Sequence, residues 1–393
     1  MYPTLRLNPK ADYRLRNGHV WIYSNEIDNS LHDLKKLTPG QLAIIENAAG
    51  KALGVAYVNP NTLICGRLLD ADPNTPIDKE FFLKRIKHAL TLRDQLFTQP
   101  YYRLIYGESD LLPGLVVDRF AKTLVVQIAT AGMDQYLELT VAALDQLVNP
   151  DTIIVKNDGK MREVEGLESY VKFYKGQETP NVQLEENGVQ FIAPILQGQK
   201  TGWFYDHRMT RARLAVYVKN KRVLDVFSYI GGWGIQAAAA GAKEVICTDI
   251  SKFALDYVMQ NAKLNNLSNV SSIEGDAFDV MQNLYDSGER FDVVILDPPA
   301  FIPRRKDVPK GTAAYQKANL MALRLLSPQG VLISGSCSLH LPAGELRNVI
   351  HKAGVKLNRQ LQILEQGHQG PDHPIHPAIA ETEYLKSLIV AAQ

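Results

Sequence analysis

Residues 223–234 read Val223-Leu-Asp-Val-Phe-Ser-Tyr-Ile-Gly-Gly-Trp-Gly234, an apolar run that breaks into a glycine-rich turn and continues into the alanine-rich stretch Gly234–Ala240. A short apolar run ending in glycine reads as a strand buried on both faces, and the alanine-rich continuation reads as a helix. Four further apolar runs share this character: Glu244–Thr248, Val270–Glu274, Asp292–Leu296 and Val331–Gly335. Helical periodicity fills the gaps at Lys252–Leu264, Ala277–Leu284 and Ala313–Leu326, and Gln362–Glu365 and Tyr384–Val390 read as two closing strands. The alternation predicts an α/β domain over residues 181–393, with a parallel sheet covered on both faces.

The ends of these strands carry the chemistry. Glycines let backbone approach a ligand closely, and the start of the following helix offers free N–H groups. Asp249 ends the second strand, where a carboxylate accepts hydrogen bonds from a ribose hydroxyl pair. Glu274-Gly-Asp276 follows the third strand, in reach of an adenine amino group. Asp297-Pro-Pro-Ala-Phe301 follows the fourth, at the edge where open α/β sheets bind ligands, and its two prolines make a stiff loop. The G-x-G-x-x-G spacing of dinucleotide enzymes is missing from the turn, which disfavours a nicotinamide-dependent dehydrogenase. The order of glycine turn, two acidic strand ends and D-P-P is similar to class I methyltransferases.

Cys337, in Ser334-Gly-Ser-Cys-Ser338, falls at the end of the fifth strand and so beside Asp297. A thiolate placed there adds to carbon 6 of a pyrimidine and makes carbon 5 nucleophilic. The alternative is a small buried hydrophobe, against which the flanking Ser336 and Ser338 argue. Cys65 and Cys247 lie inside apolar strands and read as core. Three cysteines give no disulfide framework, and His373 and His376 lack further ligands for a metal, so no metal is expected.

The remaining chain is ordinary in bulk. It has 393 residues, 46% hydrophobic and 22% charged, with formal net charge +1, which argues against a protein that coats nucleic acid indiscriminately. A confined basic surface remains open: Arg211, Arg213, Lys219, Lys221 and Arg222 precede or open the sheet, and Arg304, Arg305, Lys306 and Lys310 follow the D-P-P loop. The start of the chain lacks the apolar run of a signal peptide, and no stretch reaches the ~20 apolar residues of a membrane span. The expected compartment is the reducing cytosol. Residues 1–72 read as short strands (Val20–Tyr23, Gln41–Glu46, Ala52–Tyr57, Thr62–Leu69), and Asp70–Pro76 as a linker. Residues 73–180 read as α+β, with a helix through Phe81–Leu96, strands Leu115–Asp118 and Thr123–Ile128, a helix Tyr136–Leu147 and a strand from Thr152.

With these residues in view, the chain resembles the ribosomal RNA large-subunit methyltransferase I family over nearly its whole length. Gly18-His-Val-Trp-Ile-Tyr-Ser-Asn-Glu-Ile27 is similar to the family's PUA opening, and Gly107-Glu-Ser-Asp-Leu-Leu-Pro-Gly-Leu-Val-Val-Asp-Arg119 to its middle-domain signature. Lys200-Thr-Gly202, Asp206 and Arg208 match its loop before the sheet. Asp297-Pro-Pro and Ser336-Cys-Ser338 match its active-site pair. The resemblance implies an N-terminal PUA domain for RNA, a small α+β middle domain and a Rossmann-like class I methyltransferase domain with an antiparallel last strand. It implies cytosine carbon-5 methylation in rRNA with S-adenosylmethionine as cofactor, and a homodimer as an assembly met among relatives. Ala300 stands where relatives often carry a lysine, and Tyr205 and His207 replace a more usual Leu and Gln.

The expected roles follow. Cys337 attacks carbon 6 of a cytosine that is flipped out or unpaired, and Asp297 hydrogen-bonds the ring. The cofactor lies over Phe227, Ser228, Tyr229, Gly231 and Gly232, with Asp249 on the ribose, Asp276 near the adenine, and Ser251, Ala277, Asp297 and Pro298 also in contact with it. Lys200, Thr201, Gly202, Phe204 and Arg208 close over its methionine end. Arg14, Arg16, His19 and Trp21, with Arg304 and Arg305, contact RNA. Two alternatives stay open: a purine N-methyltransferase, which needs no cysteine, and an RNA-binding protein with a degenerate methyltransferase domain.

Overall fold

The computed structural model describes residues 2–31 and 33–393, and the chain divides into two compact units. The first takes the chain up to Val182 together with Pro194–Trp203 and Pro371–Thr382. The second comprises Gln183–Ala193, Phe204–Gly370 and Glu383–Gln393.

The first unit holds two five-stranded sheets. One runs Thr4–Arg6, Leu42–Glu46, Ala52–Val58, Ile64–Asp70, Trp21–Tyr23 in spatial order; the other runs Tyr170–Lys175, Thr152–Asn157, Thr123–Ile128, Leu115–Phe120, Tyr101–Tyr106. Both faces of Thr152–Asn157 are buried, hence its legible apolar run. The helix Lys79–Leu96 starts at Asp78, whose carboxylate caps the Phe81 N–H, and buries Phe81, Phe82, Ile86 and Ala89. Val55 and Tyr57 of the first sheet share one apolar cluster with Phe82 of this helix and with Leu115 and Val155 of the second sheet. The Tyr57 hydroxyl sits 3.0 Å from the Pro113 carbonyl and from the Thr130 hydroxyl. Buried Glu165 accepts from Asn59 at 2.8 Å and Arg67 at 3.1 Å, which satisfies charges that burial would otherwise penalise.

The second unit is built on a seven-stranded sheet. Its elements are β1 (Arg222–Val226), α1 (Gly234–Ala239), β2 (Glu244–Asp249), α2 (Lys252–Leu264), β3 (Val270–Glu274), α3 (Ala277–Asp286), β4 (Phe291–Leu296), α4 (Val308–Leu325), β5 (Leu326–Ser336), α5 (Ala343–Lys356), β6 (Leu361–His368) and β7 (Lys386–Ala392). The spatial order is β3-β2-β1-β4-β5-β7-β6, and β7 is antiparallel to both neighbours. The other contacts are parallel, so the carboxyl ends of β1, β2, β4 and β5 point to one edge. The sheet core is apolar: Leu224, Val226, Val294, Leu296 and Leu332 are almost wholly buried. Val189–Pro194, part of a two-stranded hairpin, is tied to α2 where Asn261 accepts from the Ile192 N–H at 2.7 Å. Among the described residues no helix is long and apolar enough to cross a membrane.

Candidate active site

The turn after β1 is held in a shape that most residues avoid. Phe227 (φ 64°), Tyr229 (φ 49°) and Gly231 (φ 87°) all lie in the left-handed region. Two non-glycine residues there carry backbone strain, which clusters at ligand-binding turns because the surroundings over-determine it. Here the determinant is Asp249 at the end of β2. One carboxylate oxygen accepts the Tyr229 N–H and the other the Ser251 N–H, both at 2.9 Å. Below, fully buried Asp225 accepts the Gly234 N–H at 2.8 Å, and burial pushes its carboxyl up to about 8. Phe204 meets Tyr229 edge-on, with ring centroids 5.4 Å apart. The Ser228 hydroxyl is buried with no hydrogen-bond partner, a group that a polar ligand over the turn would satisfy. These residues fit a nucleoside cofactor.

Asp297 and Cys337 occupy neighbouring strand ends. β4 and β5 pair in parallel through Leu296 and Ser334, so Asp297 and the Ser336–Ser338 segment leave the sheet side by side. The Cys337 sulfur stands 3.9 Å from the Pro298 carbonyl. Its two serine neighbours are buried and clamped by Tyr315, whose hydroxyl lies 2.9 Å from each serine oxygen. The Ile302 N–H also donates to Ser338. Cys337 itself is half-buried, whereas Cys65 and Cys247 are fully buried and burial raises both thiols, Cys65 to about 12. An aromatic wall of Phe227, Phe278, Phe301 and Tyr315 lines the D-P-P-A-F loop.

Asp297 is charged and doubly held. The Trp233 indole donates to one oxygen at 2.9 Å, and the other lies 3.1 Å from the His207 Nε2. Burial works to raise the Asp297 carboxyl, but His207 and these contacts hold it below the ordinary carboxylate value. Burial likewise works to lower His207, yet Asp297 carries it above the ordinary histidine value. Sequence reasoning noted His207 only as a departure and gave it no role.

Several expected contacts have other partners here. Asp276 is exposed and caps α3 through the Phe278 and Asp279 N–H groups, Ser251 caps α2, and Ala277 is buried at the start of α3. Arg208 is buried 3.6 Å from Glu186 and over the Tyr205 ring. Lys200, Thr201 and Gly202 belong to the first unit, where the Thr201 hydroxyl donates to Asp118 at 2.6 Å. Gly232 lies in the strained turn after β1, and Pro298 follows Asp297. In the first unit Arg14 donates from its Nη2 to both carboxylate oxygens of Glu26, and Arg16 pairs with Asp12. The Trp21 indole donates to Glu108, and His19 is buried against Trp21 with its pKa lowered first by burial and then by Arg14. Arg304 pairs with Asp307, and Arg305 is exposed.

The first basic stretch is a correction. Arg211 is buried bidentately on Glu186, Arg213 pairs with Glu365, and Arg222 with Glu244 and Glu289. The acids come from elsewhere in the chain, Glu186, Glu244 and Glu365 from strands and Glu289 from the turn before β4, so the arginines of a run that looks unneutralised along the chain are paired in space. Arg213, Lys219 and Lys221 are exposed, Arg213 with its charge paired. Among the described residues no cluster of three metal-ligating side chains occurs; His373 instead pairs with Asp372, and His376 accepts the Ala378 N–H.

Strand order, strained turn and the Asp297–Cys337 edge define an S-adenosylmethionine-dependent methyltransferase, and residues 113–383 match that family while residues 5–71 match the PUA-like domain family. Two solved structures have the same fold. One, a methyltransferase complexed with SAH, is 22% identical with TM-score 0.85 over 99% of this chain and 100% of that one. The other, a SAM-dependent methyltransferase from Streptococcus mutans, is 21% identical with TM-score 0.84 over the same shares. Closer in sequence are proteins named ribosomal RNA large subunit methyltransferase I: that of Aliivibrio fischeri is 37% identical over 98% of both chains, and that of Aeromonas salmonicida 38% over 96% of both. The chain belongs to the ribosomal RNA large subunit methyltransferase I family.

Proposed function

We propose that this enzyme methylates carbon 5 of a cytosine in large-subunit ribosomal RNA, with Cys337 as the nucleophile. The observation that carries the reading is a half-buried cysteine in a rigid serine frame, one strand over from an ionised Asp297. A purine nitrogen already owns a nucleophilic lone pair and needs no such thiol. The relatives' name supplies the substrate class.

Phe227–Gly232 and Asp249 hold S-adenosylmethionine, which when bound supplies the methyl group. The Cys337 thiolate adds to carbon 6, forming a C–S bond and moving the ring's electron pair onto carbon 5 and, through carbon 4, onto N3. Asp297, as a carboxylate, accepts from the exocyclic amine, or from N3 once that nitrogen is protonated, and so orients the ring. Once carbon 5 carries the methyl, loss of its proton and cleavage of the C–S bond restore the double bond and free the thiolate. A base inside a stack hides this face, so the target is flipped or unpaired. Residues 1–72 are the RNA-binding part of this reading, 73–180 a middle domain and 181–393 the catalytic part, acting in the cytoplasm. Exposed Arg305 and Lys306 beside the D-P-P loop suit an RNA backbone.

The test is to incubate the protein and Cys337→Ala with rRNA and radiolabelled S-adenosylmethionine, then identify the labelled nucleoside. Label in 5-methylcytidine that disappears with the variant is the expected result. Label in a methylated purine, unaffected by the variant, would overturn it.

A further inference from the structure

Lys386, the first residue of β7, pairs in register with Ser336, the last residue of β5. Its side chain runs on past that pair, and its ammonium donates to the Ser338 carbonyl at 2.6 Å. The lysine therefore spans the three-residue segment whose middle member is Cys337. Lysines are almost never buried unless paired, yet Lys386 is largely shielded from solvent. The carbonyl satisfies one of its three protons and leaves the charge itself unmatched. Cys337 and Glu383 are the groups whose ionised forms favour the ammonium. From β6 the residue in register with Lys386 is His368, whose Nδ1 lies 2.8 Å from the Gln369 carbonyl.

We infer that Lys386 is a positioning residue for the methyl transfer, its ammonium holding Cys337 as the thiolate and its bond to Ser338 fixing the segment that aims the sulfur. A cation beside a cysteine favours the ionised form that attacks. Burial pulls Lys386 down to about 8, and the Cys337 and Glu383 charges oppose that pull. The lysine is thus charged at neutral pH, as the role requires. This assignment rests on Cys337 being the nucleophile but concerns the state of its sulfur, which can be measured without RNA.

The experiment is alkylation of the full-length protein by iodoacetamide, with Cys337 modification followed by mass spectrometry from pH 6 to 10. Wild type, Lys386→Met and Lys386→Arg are compared. Cys65 and Cys247 are fully buried, so their staying unmodified reports that each variant is folded. Loss of the ammonium should slow Cys337 alkylation at pH 7 about tenfold, the thiolate fraction that one pKa unit represents, and move the rate–pH midpoint upward. Lys386→Arg keeps a charge and should recover most of the rate. Equal rates and midpoints in wild type and Lys386→Met would overturn the inference. So would equal loss in both variants with Cys65 and Cys247 still protected, since that marks a packing role without a charge role. If instead the nucleoside assay shows a cysteine-independent product while the alkylation shift holds, the nucleophile reading fails and the charge pair stands.

Discussion

Glu186 offers the sharpest test of how the second unit is held together. Its carboxylate is fully buried, accepts from Arg211 at 2.6 and 3.0 Å and from Gln236 at 2.9 Å, and lies 3.6 Å from Arg208. Burial works to raise its pKa, but the two arginines bring it below the ordinary glutamate value, so it stays ionised. Glu186→Gln keeps the shape and removes the carboxylate that both buried guanidiniums face. Breaking a buried pair by removing one partner costs about 3–5 kcal/mol, and glutamine's remaining acceptor puts the expectation near ~3. For a unit of roughly this size, that lowers Tm by roughly 6–12 °C, measurable by differential scanning calorimetry. A second readout follows from Arg211, which also donates to the Phe204 carbonyl and so fixes the ring that meets Tyr229. S-adenosylmethionine affinity, measured by calorimetric titration, should weaken several-fold in step. The pH dependence has a definite sign. A depressed carboxylate stabilises fully above the ordinary glutamate value of 4.5 and loses that contribution as pH falls through its folded value, a slope that Glu186→Gln should lack. A Tm within 2 °C of wild type together with unchanged cofactor affinity would refute the reasoning.

Two further outcomes are expected. Asp249→Ala removes the acceptor for the Tyr229 and Ser251 N–H groups, and S-adenosylmethionine Kd should rise about 10- to 100-fold, as for lost charged hydrogen bonds; an unchanged Kd would take Asp249 out of the cofactor site. Because Asp297 raises His207 above 6.5, that pair stabilises fully below pH 6.5 and fades as pH rises through the raised value. A Tm-versus-pH series should show this alkaline-side slope in wild type and not in His207→Gln, and identical slopes would mean that the imidazole does not titrate there.

The doubly wound sheet was legible because its strands are buried on both faces, leaving unbroken apolar runs such as Val293–Leu296. The edge strands Thr4–Arg6, Tyr101–Tyr106 and Tyr170–Lys175 were not, since half-exposed strands mix polar and apolar residues and lose the run. Helix α5 also escaped notice, although Leu346, Val349, Ile350 and Ala353 do carry its apolar stripe. In the site, local grammar sufficed for Asp249, Asp297 and Cys337, each at a strand end. Contacts across long sequence gaps left no trace in the pattern: Glu186 against Arg211, His207 against Asp297, and Lys386 against Ser338.

The chain passes between its two compact units after Val182, Ala193, Trp203, Gly370 and Thr382. Within the first unit, the late-arriving Asp372 supplies its side chain to the Arg103 N–H at 3.0 Å and its carbonyl to buried Arg93 at the same distance. During synthesis, when chains emerge N-terminus first at ~5–20 residues per second, the N-terminal unit therefore waits for a segment beyond residue 370. Until it arrives, Arg93 and Arg103 lack these partners. Neither unit is complete as a contiguous fragment, so no single cut of the gene yields both halves whole.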